Sequence, residues 1–154
     1  MIEGAVRACP DSLWSDRTRE PEFWYIVFHT LFWLDFYLTA SPGRFAPPPP
    51  FSSTELDPAG ILPERPYTRE EMLGYLEHGR TQCRRTIAAL TAEEAGRQFT
   101  FGSVELPVGE LLLYTLRHVQ HHAGQLNLML RQQTGSAPRW VKYSGEPLSG
   151  LRGS

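Results

Sequence analysis

Three of the chain's five histidines fall in one short stretch, Arg117-His118-Val119-Gln120-His121-His122-Ala123-Gly124-Gln125. Residues four apart on an α-helix lie about 40° apart around the axis and one turn apart along it, so His118 and His122 project side by side. Two imidazoles so placed can reach one divalent ion at about 2.0–2.1 Å. His122 also falls within the apolar stripe of Val119, Ala123, Leu126 and Met129, which points it inward. An imidazole among aliphatic side chains is costly unless both ring nitrogens find partners. His29 is the third candidate, midway along Phe23-Trp24-Tyr25-Ile26-Val27-Phe28 and Leu31-Phe32-Trp33, where a polar side chain needs a reason. Two histidines from one helix and one from another form the three-ligand set of an open metal site. The competing reading is a hydrogen-bonded core cluster without metal. His121 competes with His122, since residues three apart also share a face, but it turns toward Arg117 and Leu128 and reads as surface or as a support behind the ligands. No Glu stands between His118 and His122, so the HExxH motif and its general base are absent, which argues against a metalloprotease.

Four helices must carry these residues: 2–8, 21–40, 69–90 and 107–133. The first stops before Cys9-Pro10, because the residue preceding a proline is pushed out of the α region. Pro21 and Pro107 sit where proline is tolerated, in an opening turn, while Ser41-Pro42-Gly43 and Thr134-Gly135 end their runs. Thr68-Arg69-Glu70-Glu71 is a capping box, and Met72, Leu76, Gly79, Cys83, Ile87 and Leu90 keep one face of the third helix apolar or small. Residues 41–67 contain Pro47-Pro48-Pro49-Pro50 and no periodic pattern. Loops longer than about 15 residues are uncommon without a job. The simplest job here is a crossover that leaves helices 21–40 and 69–90 parallel. Thr91-Ala92-Glu93-Glu94 predicts one helical turn, and Phe99-Thr100-Phe101 a brief extended piece. The expected fold class is all-α, one domain over 1–154 with residues 136–154 as a tail.

Phe28-His29-Thr30-Leu31-Phe32-Trp33-Leu34-Asp35 and His118-x-x-x-His122-Ala123-Gly124-Gln125, in this order and at this separation, resemble the DinB/YfiT-like superfamily of bacterial helical-bundle metalloproteins. The resemblance runs from about residue 8 to about 140. It implies a four-helix bundle of up-down-down-up connectivity, one divalent metal ion (Zn or Ni) on His29, His118 and His122, and a tendency to form homodimers. The family's first helix is usually several turns long. Here some seven residues precede Cys9-Pro10, so that face is expected to be truncated or completed by a partner chain.

A net charge of −2 gives no electrostatic pull toward nucleic acid or anionic lipid. Two cysteines make no disulfide framework, no signal peptide is visible, and Phe23–Leu38 is too short and too interrupted to span a bilayer. The expectation is a cytoplasmic protein. Three neutral imidazoles leave an ion's +2 uncompensated, which favours hydroxide, carboxylate or thiolate as a fourth ligand. The resemblance, to a family with thiol-dependent transferases or isomerases among its members and many others without assigned activity, implies three functional readings: a metal-dependent transferase or hydrolase on a small molecule, with a low-molecular-weight thiol as a possible cosubstrate; a metal-binding stress-response module without turnover; and a structural helical dimer whose histidines are merely core. Among the remaining residues, Gln125 is expected to support the ligands and Trp33 to line the pocket. Cys83 reads as core, Gly79 and Gly124 as points of close helix approach, and His78 as surface. Asp35 lies well around its helix from His29, so a surface pairing is as good a reading as a supporting one.

Overall fold

A computed structural model describes residues 1–39 and 41–142. Most of the described chain is helical: α1 is Ile2–Ala8, α2 Asp11–Trp14, α3 Phe23–Thr39, α4 Arg69–Ala88, α5 Ala92–Gly96 and α6 Val108–Thr134. Gln98–Phe101 and Val104–Pro107 form an antiparallel pair, β1 and β2, in which Phe99 faces Leu106 and Phe101 faces Val104. The all-α expectation is therefore corrected by a small hairpin. Gly102, with φ 56°, makes its turn in the left-handed region that a side chain would disfavour. Pro107 closes β2 instead of opening the helix, and the Val108 amide donates to the Arg97 carbonyl at 2.9 Å, fixing the start of α6. Gly135, with φ 74°, ends α6 by donating its amide to the Arg131 carbonyl.

Sequence chemistry explains where α4 begins. The Thr68 hydroxyl accepts from the Glu71 amide while the Glu71 carboxylate accepts from the Thr68 amide, so the capping box is complete. Its apolar face holds only over the first half: Met72, Tyr75, Leu76 and Gly79 are buried, Cys83 is half-buried, and Ile87 and Leu90 are exposed. An added Cβ on Gly79 would stand 3.1 Å from Leu34 Cδ2, so this glycine does permit close approach of α3 and α4. Gly124 does not act this way, since nothing from elsewhere among the described residues lies within 4 Å of the equivalent point.

Helix α3 is the spine, in contact with both α4 and α6, while α1 touches α4 and α6. Its aromatic residues Phe23, Trp24, Phe28, Phe32 and Phe36 are at most 1% exposed, which explains why no polar face survives along most of its length. Phe28 and Asp35 meet Tyr67 and His78 in that order, so α3 and α4 run the same way. Tyr37 meets Tyr114 whereas His29 meets His122, so α6 runs against α3. The proline-rich segment between α3 and α4 is pinned by Phe51 and Tyr67, whose rings lie 4.8 Å apart and pack on Tyr75 and Phe28 respectively. The Trp14 indole adds a bond to the Tyr67 carbonyl at 3.2 Å. This seating places Glu55, in a 3-10 turn at Thr54–Leu56, against α3.

Candidate metal centre

The antiparallel contact of α3 with α6 brings the three predicted histidines together. His118 Nε2 lies 3.3 Å from His29 Nε2 and 3.1 Å from His122 Nε2. The ligand atoms of all three fall within 4.8 Å of one another, and no other such group of three potential ligands occurs among the described residues. Nitrogens about 2.0–2.1 Å from a tetrahedral ion stand roughly 3.3–3.4 Å apart, so the two separations from His118 suit one ion, and the outer pair would close onto it by a small ring movement.

The outer nitrogens decide which way each ring presents its lone pair. His29 Nδ1 donates to Glu55 Oε2 at 2.7 Å. An ionised carboxylate only accepts, so Nδ1 carries a proton, and in the neutral ring the His29 Nε2 lone pair faces the cluster. Burial pushes the Glu55 carboxyl up, but hydrogen bonds from His29, Tyr25 and Trp33 outweigh it and hold the group below the usual carboxylate range. The Trp33 indole donates to the same oxygen at 2.8 Å, so Trp33 anchors this carboxylate. His122 Nδ1 donates to Gln125 Oε1 at 2.6 Å, leaving its Nε2 unprotonated as well. Two lone pairs thus face one spot, where a cation or the Nε2–H of a neutral His118 would satisfy them.

His118 completes the cluster from a different position. Its Nδ1 is buried and has no hydrogen-bond partner among the described residues. Burial, reinforced by His122 and His29, pushes its pKa down to about 4; burial likewise lowers that of His122. Both rings are therefore neutral near pH 7, the state in which imidazole ligates a metal. Ring contacts hold the geometry, with centroids of 5.2 Å for His29–His118, 4.8 Å for His29–His122 and 4.5 Å for His118–His122. Beside the cluster, Tyr114, Arg117, His118 and His121 line an open cleft of about 330 Å³.

His121 is exposed and outside the ligand group, though its ring lies 5.0 Å from that of His122. Gln125 stands where the sequence expectation put it. Asp35 takes no part in the centre. It is buried and accepts from Tyr75 Oη at 3.3 Å and pairs with His78 Nε2 at 3.1 Å, so His78 is a tether between α3 and α4 and not merely a surface residue. Sequence reasoning missed Glu55 and Tyr25. A signal existed in principle, since an inward histidine needs a partner for its second nitrogen, but nothing in the aperiodic 41–67 segment singled out Glu55 from its other acids.

Neither a curated protein nor a solved structure matches the chain. No helix among the described residues is long and apolar enough to cross a membrane. The family model of the DinB superfamily matches residues 1–126, well over half of the chain, and takes in α1, all three clustered histidines and Gln125. With that match, the chain belongs to the DinB superfamily.

Proposed function

We propose that this protein is a divalent-metal enzyme, a transferase or hydrolase of a small molecule that uses a low-molecular-weight thiol as cosubstrate. One observation carries the reading: three imidazoles, two of them oriented by hydrogen bonds from their outer nitrogens, converge with no carboxylate in the group among the described residues. A divalent ion held by neutral ligands supplies an uncompensated charge that lowers the pKa of a thiol or water beside it. A thiol suits such a site better than water, because its pKa of about 8.5 needs only a small shift. Glu55 is engaged by three donors and serves His29, so it is not a free general base. The cleft at His118 gives a small molecule access, with the Arg117 guanidinium over the Tyr114 ring at its edge. Zinc or nickel is the proposed ion, both being metals that imidazole ligands suit. An up-down-down-up four-helix arrangement of α1, α3, α4 and α6 in a cytoplasmic homodimer completes the reading.

The test begins with the metal content of protein purified without a His tag. Near-stoichiometric metal is expected, together with metal-dependent conjugation of a small thiol to a chloro-nitroarene. That rate should vanish in His118→Ala and persist in Cys83→Ser. Full metal occupancy with no rate from any of several thiols would leave a non-catalytic metal-binding module. Absence of metal would leave a structural histidine cluster.

A further inference from the structure

Helix α6 carries a face that nothing among the described residues covers. Leu113 and Leu128 are 63% and 54% exposed. At about 100° per residue, Leu113, Arg117, Gln120, Gly124, Leu128 and Arg131 share a strip some 80° wide, with Glu110 on its border. All of these polar residues and Gly124 are exposed. A mid-helix glycine costs about 1 kcal/mol relative to alanine, yet nothing from elsewhere among the described residues approaches within 4 Å of a Cβ placed at Gly124. Neither Glu110 nor Arg131 makes a side-chain ion pair among the described residues.

We propose that this face packs on the same face of a second copy, α6 against α6 and antiparallel, about a twofold axis at the midpoint between Gln120 and His121. In an isologous contact each residue meets the one equally far from the axis on the other copy. Leu113 then meets the second copy's Leu128, Glu110 meets its Arg131, and Arg117 lies over its Gly124, where the missing side chain leaves room. A parallel pairing would set Glu110, Arg117 and Arg131 each against its own like charge, so the charge order selects the antiparallel one. It also selects the crossing angle. Glu110 and Arg131 sit about 16 Å from the axis; at a crossing near 20° their side chains still meet, whereas near −50° the helix ends splay out of reach. Arg117 and His121 border both the strip and the cleft beside His118, so the second copy closes the open flank of that cleft. This deepens the dimer reading above by giving it a surface, and it does not depend on catalysis.

Sedimentation velocity on the full chain at micromolar concentration tests it, with metal content and far-ultraviolet circular dichroism measured on the same samples. Wild type should run at twice the chain mass. Leu113→Glu should be monomeric while keeping its metal and helicity, because the ligands lie on another side of α6. Glu110→Arg and Arg131→Glu should each weaken the dimer about five- to tenfold, the order expected for two exposed ion pairs lost and turned repulsive. The double exchange E110R/R131E should restore it. A monomeric wild type, a dimer indifferent to Leu113→Glu, or a double exchange no tighter than the single variants would each overturn the proposal. Loss of metal with the dimer intact would instead count against the metal centre alone.

Discussion

Helix α3 presents two histidine–carboxylate pairs of opposite character. At His29, Glu55 receives hydrogen bonds from His29, Tyr25 and Trp33, and the sum overcomes burial and keeps the carboxyl below its ordinary range. Six residues on, Asp35 is as thoroughly buried, but it has only His78 and Tyr75, and desolvation wins: its pKa is raised. The difference lies in the number of donors each carboxylate collects, and it sets what each can do. Glu55 stays anionic and fixes the tautomer of a ring whose far nitrogen faces two more imidazoles. Asp35 ties α3 to α4 through a histidine whose side chain is 37% exposed and which joins no group of potential ligands among the described residues. A histidine–carboxylate pair is thus neither a metal site nor a tether by itself; the far ring nitrogen decides.

Breaking the two pairs should give unequal results. The largest effect belongs to the ligands. Single alanine changes at His29, His118 or His122 should reduce metal affinity at least a hundredfold in competition with a chelator, whereas His78→Ala and His121→Ala should leave it within about twofold. If His121→Ala abolished binding and His122→Ala did not, the ligand assignment would be wrong. Next comes Glu55→Gln, which keeps shape but removes the charge. Outer partners of ligating histidines are typically worth 10–100-fold in metal affinity. Asp35→Asn should leave metal affinity unchanged, and equal losses in both isosteres would erase the distinction drawn here.

What the sequence made legible follows the same divide between local and distant contacts. His118, His122 and Gln125 were readable because helical periodicity fixes their relation within two turns. His29 stood out as a polar residue in an apolar run. Glu55 was hidden because its place is set by Phe51 and Tyr67 wedging an aperiodic segment against α3, a tertiary effect with no sequence period. The hairpin was half visible: Phe99-Thr100-Phe101 showed its extended pattern, but Pro107 was read as a helix opening and so concealed β2. Gly124 misled for a different reason, since a mid-helix glycine suggests a close approach, yet nothing among the described residues lies within 4 Å of a Cβ placed there. Ile87 kept the period of α4 beyond the point where anything remained to bury it.

A smaller effect separates supports within the centre. Gln125→Ala removes a neutral acceptor from His122 Nδ1, where Glu55→Gln removes a charged one from His29. Charged hydrogen bonds are worth roughly twice neutral ones. Gln125→Ala should therefore weaken the metal less than Glu55→Gln, by about three- to tenfold in the same competition assay. A larger loss at Gln125 would mean that the Glu55 charge does not govern the centre.

The subtlest difference is one of sign, and pH reveals it in chelator-treated protein. Glu55 has a folded pKa below its ordinary 4.5, so its contribution to stability is present above that value and is lost as pH falls through the folded pKa. Asp35 has a folded pKa above its ordinary 3.8. Its contribution is complete below that value and is lost as pH rises through the folded pKa. The neutral isosteres remove each dependence. Relative to wild type, Glu55→Gln should become less stable as pH is raised from about 3 to 7, while Asp35→Asn should become relatively more stable over the same interval. Melting temperatures of the three proteins on one pH series would show it as two difference curves of opposite slope, each spanning a few degrees. Slopes of the same sign would mean that donor number does not distinguish the two carboxylates, and the contrast between a metal-orienting pair and a tether would have to rest on geometry alone.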